Sequence, residues 1–295
     1  MACDLQRTKV RVNRLGLRGG ETTPRPAPDH RRLLVLGDSV VFGQGLEEAD
    51  TFPVLLERAL AAKGGSATEV LNGGVPGYNT ATEVAFLERF GLPLAPDAVV
   101  LGVSLNDYSD APVMTASGLL TNELDARTRL PWLTNHSELY LLARWTAVYL
   151  RGAHPWQRLG EQAPAAATPV EERWAALDRA VAAMHKQFYA APAGPGWERT
   201  RAALGALRDL TRGYGLALTA IVFPERDQVE LPAPDLDPQR RWLELCDAVG
   251  IRCVDLAPAF RAAAAPNGSL FQDTQHPNAA GMRVAAQAVA DALGR

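Results

Sequence analysis

The sequence predicts an α/β protein, a parallel sheet covered on both faces by helices and interrupted by a helical insertion. Three observations predict it. Short, near-continuously apolar runs rich in β-branched residues or Leu recur along the chain, bounded by Gly, Pro or Asn. Amphipathic segments of helical period separate them. A hydrophobic content of 47% over 295 residues is that of a globular chain long enough to bury a large core.

The elements follow in order. Residues 1–30 form an N-terminal extended segment, whose Glu21 to His30 stretch holds three prolines and reads as a connector. Strands are expected at Arg32 to Leu36, Glu69 to Leu71, Ala98 to Val103, Leu216 to Phe223 and Ile251 to Val254. Helices are expected at Phe52 to Ala62, Thr80 to Phe90, Glu198 to Tyr214, Pro238 to Val249 and about Asn278 to Leu293. Gly91, Gly213 and Gly250 stand where helix C-termini favour a residue tolerant of positive φ.

The insertion, at about 113–196, holds two expected helices, Ser137 to Arg151 and Pro169 to Tyr189, with Ala/Pro-rich joints. Five of the six tryptophans (Trp132, Trp145, Trp156, Trp174, Trp197) lie in it or at its border. Residues 31–295 thus read as one domain, because neither helix of the insertion is large enough to bury a core alone. The tryptophans read first as core, and alternatively as a cap shaping a substrate pocket.

Composition excludes several function classes. Lys plus Arg is 30 and Asp plus Glu 33, a formal net charge of −3, so no chain-wide nucleic-acid footprint is expected. No apolar run reaches the length of a membrane span. Met1 to Arg14 carries charges throughout and lacks the apolar centre of a signal peptide, so the chain as given reads as cytoplasmic, or as exported if a leader was trimmed. Three cysteines rule out a disulfide scaffold and any Cys-rich zinc site; Cys246 and Cys253, on a helix and its adjoining strand, read as buried free thiols, a disulfide between them requiring an exported protein.

Chemistry is written at the strand ends. The first strand runs out through Leu36-Gly37-Asp38-Ser39, placing a serine at the carboxyl edge of a parallel sheet, where α/β proteins bind ligands. A serine there is also a common helix N-cap. Three further blocks change the weighing: Asn72-Gly73-Gly74-Val75-Pro76-Gly77-Tyr78-Asn79, then Ser104-Leu105-Asn106-Asp107, then Asp273-Thr274-Gln275-His276-Pro277-Asn278. The blocks span nearly 240 positions, yet a parallel sheet gathers them on one rim. Together they offer a nucleophile, a base, a carboxylate to orient it and donors for an oxyanion. His30, His136, His154 and His185 lack such context and metal-ligand spacing. Phe223-Pro224-Glu225-Arg226 leaves the fourth strand at the same rim, either lining a pocket or as an ordinary exit.

With these four blocks in this order, the chain resembles the SGNH hydrolases, also called the GDSL family of esterases and acylhydrolases, over roughly residues 31–112 and 200–295. The preamble Val12-Asn13-Arg14-Leu15-Gly16-Leu17-Arg18 also resembles a segment found ahead of the core in many bacterial members. The resemblance implies a three-layer α/β/α sandwich, flavodoxin-like, with strand order 2-1-3-4-5. It implies Ser39 as nucleophile, His276 as base and Asp273 as its carboxylate. It implies an oxyanion hole of the Ser39 N–H, the Gly77 N–H and the Asn106 amide. Two departures stand out: Ser104 replaces the glycine that often opens the third block, and Val40-Val41 follows the serine; neither is expected to touch a catalytic group. Asp38 is expected to hold the turn presenting Ser39, and Asp107 to brace the Asn106 loop.

The expected activity is hydrolysis of a carboxylic ester, an acyl group on a sugar, lipid or natural-product hydroxyl, with no cofactor and no metal. An acyltransferase using the same triad, and a binding protein on the same scaffold without turnover, are the alternatives.

Overall fold

The computed structural model describes residues 8–64, 67–107, 113–114, 120–121 and 195–294. The chain divides into two compact units, one of residues 1–111 and 193–295, the other of residues 112–192. In the second unit the described residues are an antiparallel pairing of Val113–Met114 with Leu120–Thr121. The two expected helices of the insertion and the four tryptophans within it lie outside the described residues.

The first unit is built on five parallel strands: β1 (Arg31–Gly37), β2 (Thr68–Gly74), β3 (Ala98–Val103), β4 (Ala217–Val222) and β5 (Arg252–Asp255). Their order is β2-β1-β3-β4-β5, as expected. Strand order reverses beside β1: the chain steps to β2 on one side and returns to β3 on the other. The carboxyl ends of β1 and β3 therefore frame the crevice where such sheets bind ligands.

The described helices are α1 (Ser39–Phe42), α2 (Phe52–Ala62), α3 (Thr80–Phe86), α4 (Pro195–Gly213), α5 (Arg226–Glu230), α6 (Asp237–Val249), α7 (Ala257–Asn267) and α8 (Ala279–Leu293). Alternation along β1 sorts its side chains: Leu33 and Val35 join the core beneath α2, α7 and α8, while Leu34 meets Leu87 and Gly91 on the opposite face. On that face α3 packs against α4, and Trp197 of α4 lies 5.8 Å from Trp242 of α6. Three helices are absent from the sequence reading: α1, α5 and α7. The expected helix to Phe90 ends its α-helical part at Phe86 and continues through a π-turn over Leu87–Gly91.

Of the three expected C-terminal glycines, Gly250 takes the left-handed conformation at φ +78°. Gly91 does not: its φ is −74°, because the π-turn carries the chain straight on, and the positive φ falls on Ala95 instead. At the end of α4 the positive φ falls on Gly215 rather than Gly213. Cys246 on α6 and Cys253 on β5 are free thiols. Among the described residues, no helix is long and apolar enough to cross a membrane.

Sheet and Ser39 turn are joined by close backbone approach. A Cβ on Gly74 would stand 2.3 Å from the Phe42 nitrogen and 2.7 Å from the Val41 carbonyl carbon. On β3, a Cβ at Gly102 would meet a Val41 methyl at 2.4 Å. Only hydrogen at these two positions lets α1 lie directly on the strand ends. Gly74→Ala is therefore expected to lower stability by about 3 kcal/mol, the upper end for an overpacked core, because backbone rather than a pliable side chain must move. Urea unfolding monitored by circular dichroism measures it; an unchanged midpoint would contradict this packing.

Candidate active site

Ser39 is the first residue of α1, and Asp38 before it is the cap: an Asp38 carboxylate oxygen accepts the Val40 N–H at 2.9 Å. The serine is thus left with its side chain unused by the helix. Its Oγ lies 2.9 Å from Nε2 of His276, 237 positions away.

His276 is carried by a closed loop before α8. Phe271 and Pro277 bridge antiparallel, the Gln272 N–H donates to the His276 carbonyl at 2.8 Å, and Asn278 caps α8 through the Ala280 and Gly281 N–H groups. Inside the loop one Asp273 oxygen, Oδ1, accepts the N–H groups of Gln275 and His276 at 2.9 and 2.8 Å. The other, Oδ2, lies 2.8 Å from Nδ1 of the His276 ring. The same carboxylate thus fixes both the backbone of the loop and the orientation of the imidazole, leaving Nε2 toward Ser39.

Asn106 sits in the turn after β3. With Ser39, His276, Asp38, Ser104 and Glu225 it lines one small cavity of about 10 Å³ at the carboxyl edge of β1 and β3. Gly77 is in the turn after β2, exposed and at φ +81°, and is not on the wall of that cavity. Among the described residues nothing takes its N–H. The structure therefore brings Ser39, Asn106 and His276 to one cavity, with Asp273 behind His276, and leaves Gly77 on the neighbouring turn.

Electrostatics set the ring against its two carboxylates. Burial of His276 favours its neutral form, but the Asp273 hydrogen bond and charge, with the charge of Asp38, outweigh this and raise its pKa above the ordinary value. For Asp273, burial is likewise outweighed, by the His276 contact and the two backbone N–H groups, and its pKa is lowered. Asp38 moves the other way. Burial raises its pKa against the pull of the Val40 N–H, the Ser104 hydroxyl, His276 and the Asn106 side chain. Two more carboxyls are buried nearby, Glu83 on α3 and Asp107 in the Asn106 turn. Burial, with the charge of Asp38 on Glu83 and the charges of Glu83 and Asp38 on Asp107, holds both well above the usual carboxylate range.

Several contacts at the site were not foreseen. Ser104, expected to touch nothing catalytic, donates its hydroxyl to Asp38 at 2.9 Å and stands on the cavity wall. This departure from the family glycine ties the third block to the cap of α1, and it was legible only as a polar residue at a buried strand end. The Ser104 N–H goes to Asp107 at 2.9 Å, the expected brace. Phe223, Pro224 and Glu225 line the cavity. The Arg226 N–H donates to the Thr274 carbonyl at 2.9 Å and the Gln275 amide to Glu225 at 3.3 Å, so the exit of β4 grips the His276 loop. Among the described residues, no group of three or more His, Cys, Asp or Glu is placed to hold a metal ion.

Among known proteins, none of the curated sequences matches the chain. Solved structures do match in fold. An α/β hydrolase enzyme from the metagenome of Lake Arreo, Spain, is 16% identical and superposes with a TM-score of 0.50, covering 90% of this chain and 95% of its own. A catalytic mutant of Axe2, an acetylxylan esterase from Geobacillus stearothermophilus, is 15% identical with a TM-score of 0.50, covering 90% of this chain and 94% of its own. At such identities these are likenesses of fold. The family model of the GDSL-like lipase/acylhydrolases matches residues 35–284, from the middle of β1 into α8 and so across all four blocks. The chain therefore belongs to the GDSL-like lipase/acylhydrolase family and is a serine esterase or acylhydrolase.

Proposed function

We propose that this chain hydrolyses a carboxylic ester through an acyl-enzyme on Ser39, with His276 as base, Asp273 as its orienting carboxylate and the Ser39 N–H, Gly77 N–H and Asn106 amide as oxyanion donors. The observation that carries the reading is the continuous chain of contacts from Ser39 Oγ to His276 Nε2 at 2.9 Å and from His276 Nδ1 to Asp273 at 2.8 Å. In this reading residues 31–295 are one hydrolase domain, with the stretch at about 113–196 inserted in it.

The proposed mechanism uses these groups in turn. A serine hydroxyl is a weak nucleophile at its own pKa, so the neutral His276 ring takes its proton as Oγ bonds to the acyl carbon. The carbonyl π pair moves onto oxygen, and Asp273 stabilises the imidazolium without itself taking the proton. The oxyanion is met by the Ser39 N–H, which as the first in its helix has no intrahelical partner. Asn106 lines the cavity beside Ser39 and carries two amide hydrogens, one of which is offered to the oxyanion. The Gly77 N–H, which nothing takes among the described residues and which sits in a turn of positive φ, is the third donor. Collapse expels the alcohol, protonated by His276, and water deacylates the serine by the same steps. The ester in this reading carries a short acyl group on a sugar, lipid or natural-product hydroxyl.

An ester panel varying acyl length and alcohol tests the reading directly. Short acyl esters are expected to turn over, and Ser39→Ala to abolish turnover with the fold intact. Turnover retained by Ser39→Ala, free of wild-type contamination, would sink the assignment. Running the panel with and without acceptor alcohols separates hydrolysis from transfer.

The base must be neutral, and its pKa is raised, so kcat/KM is expected to climb with pH through an apparent pKa above about 6.5. Asp273→Asn removes the charge that raises it. This variant is expected to move the limb to lower pH while cutting kcat by as much as ~10⁴-fold, since an amide stabilises the wrong tautomer. A limb that stays in place would contradict the role given to Asp273.

Asn106→Ala removes a donor aimed at charge present only in the transition state. Steady-state kinetics are expected to give a kcat lower by roughly 10²–10³ with KM little changed. A loss confined to KM would remove Asn106 from the hole.

A further inference from the structure

We propose that the segment Arg11–Gly20 is a clasp that sets the nucleophile turn, with Arg18 as a positioning residue for both Ser39 and His276; the inference rests on Ser39 being the nucleophile. The segment has its own fold. Val12 and Arg18 bridge antiparallel, and the Asn13 side-chain oxygen accepts the N–H groups of Leu15 and Leu17, both at 3.0 Å. The Asn13 amide donates to the Gly20 carbonyl at 2.9 Å, and Gly16 turns the chain at φ +80°. This local frame buries Leu17 and points Arg18 inward, where only 5% of it stays exposed.

The Arg18 guanidinium is spent on one short stretch of backbone. Nη1 donates to the carbonyls of Phe42 and Gly43 at 2.9 and 2.7 Å, and Nη2 to that of Leu46 at 2.5 Å. Its carbon lies 4.8 Å over the Phe42 ring. These carbonyls leave the C-terminal end of α1, where helix acceptors lack partners and positive charge is favoured. α1 has only four residues, so its own hydrogen bonds hold it weakly. Converging carbonyl dipoles repel one another unless a cation stands between them, and a planar fork serves several at once where an ammonium is a point charge.

The same stretch receives the other half of the site. The Gln272 amide, one residue before Asp273, donates to the Gln44 carbonyl at 3.0 Å. Arg18 thus fixes the loop in which the helix of Ser39 ends and on which the loop of His276 docks. By this route an N-terminal side chain sets the Ser39–His276 separation without touching either residue. Arg11 adds an exposed pairing to Glu48, on the same connection, at 2.8 Å.

The test compares full-length Arg18→Met, Arg18→Lys and Arg11→Gln with wild type. It reads steady-state kinetics on an ester, the rate of fluorophosphonate labelling at Ser39, and thermal unfolding. Arg18→Met is expected to lower kcat and the labelling rate by about 10–10²-fold, the scale of a misplacement near 1 Å, with KM changed only a few-fold. Arg18→Lys, keeping the charge without the fork, is expected between wild type and Arg18→Met, and Arg11→Gln at the wild-type rate. Folded Arg18 variants with wild-type kcat and labelling would overturn the proposal. So would losses that vanish when rates are referred to the folded fraction, since Arg18 would then be merely structural. Should Arg18→Met fail to fold, Arg18→Lys decides by the same two rates. Wild type that turns over ester but is not labelled at Ser39 would instead defeat the nucleophile reading, and the clasp's stated role with it.

Discussion

A serine helix of four residues must lie flat on the ends of three strands for its hydroxyl to reach the crevice between β1 and β3. That steric demand governs the architecture. Gly74 and Gly102 meet it by presenting bare backbone where any side chain would strike Val41 or Phe42. Val40 and Val41 bury their side chains in the core beneath the turn, and polar contacts hold it at its two ends. Asp38 caps one end, and the three carbonyls at the other converge on Arg18. The sheet supplies the place and the polar contacts supply the orientation.

The polar contacts also divide labour between carboxylates. Asp273 gives three hydrogen-bond donors their acceptor and stays readily ionised, which suits its proposed role of holding an imidazolium. Asp38 is fully enclosed, and its pKa is raised by burial despite the donors around it. It serves as a junction: it accepts the Val40 N–H and the Ser104 hydroxyl, which joins the first and third blocks. Glu83 and Asp107 lie in the same enclosed region, and like charges so placed disfavour full ionisation of all three.

Much of this was legible in the sequence. The central strands declare themselves because both faces of the sheet are covered there, which makes them near-continuous apolar runs; β1 and β3 are buried along nearly their whole length. The four blocks are legible because each bundles several unusual residues at a strand end. What escaped was short or depended on distant partners. The helices α1 and α5 have four and five residues, too few for a period to show. The helix α7 is Ala- and Pro-rich and weakly amphipathic, although Pro258 near its start was an available signal. Gly91 followed the rule for a helix end at a place where the chain does not end its helix but widens it into a π-turn. Ser104 and Arg18 stand out in the sequence without a partner and Gln272 not at all, and only the fold reveals that they reach across 66, 25 and 228 positions to hold a turn of the site.

The central claim is that Ser39 carries the acyl group. Mass spectrometry of the protein quenched during turnover of a p-nitrophenyl acetate substrate tests it most directly. The account predicts an acetyl adduct on the peptide bearing Ser39, absent in Ser39→Ala. Turnover with the adduct on another residue, or with no adduct even when deacylation is slowed, would contradict it.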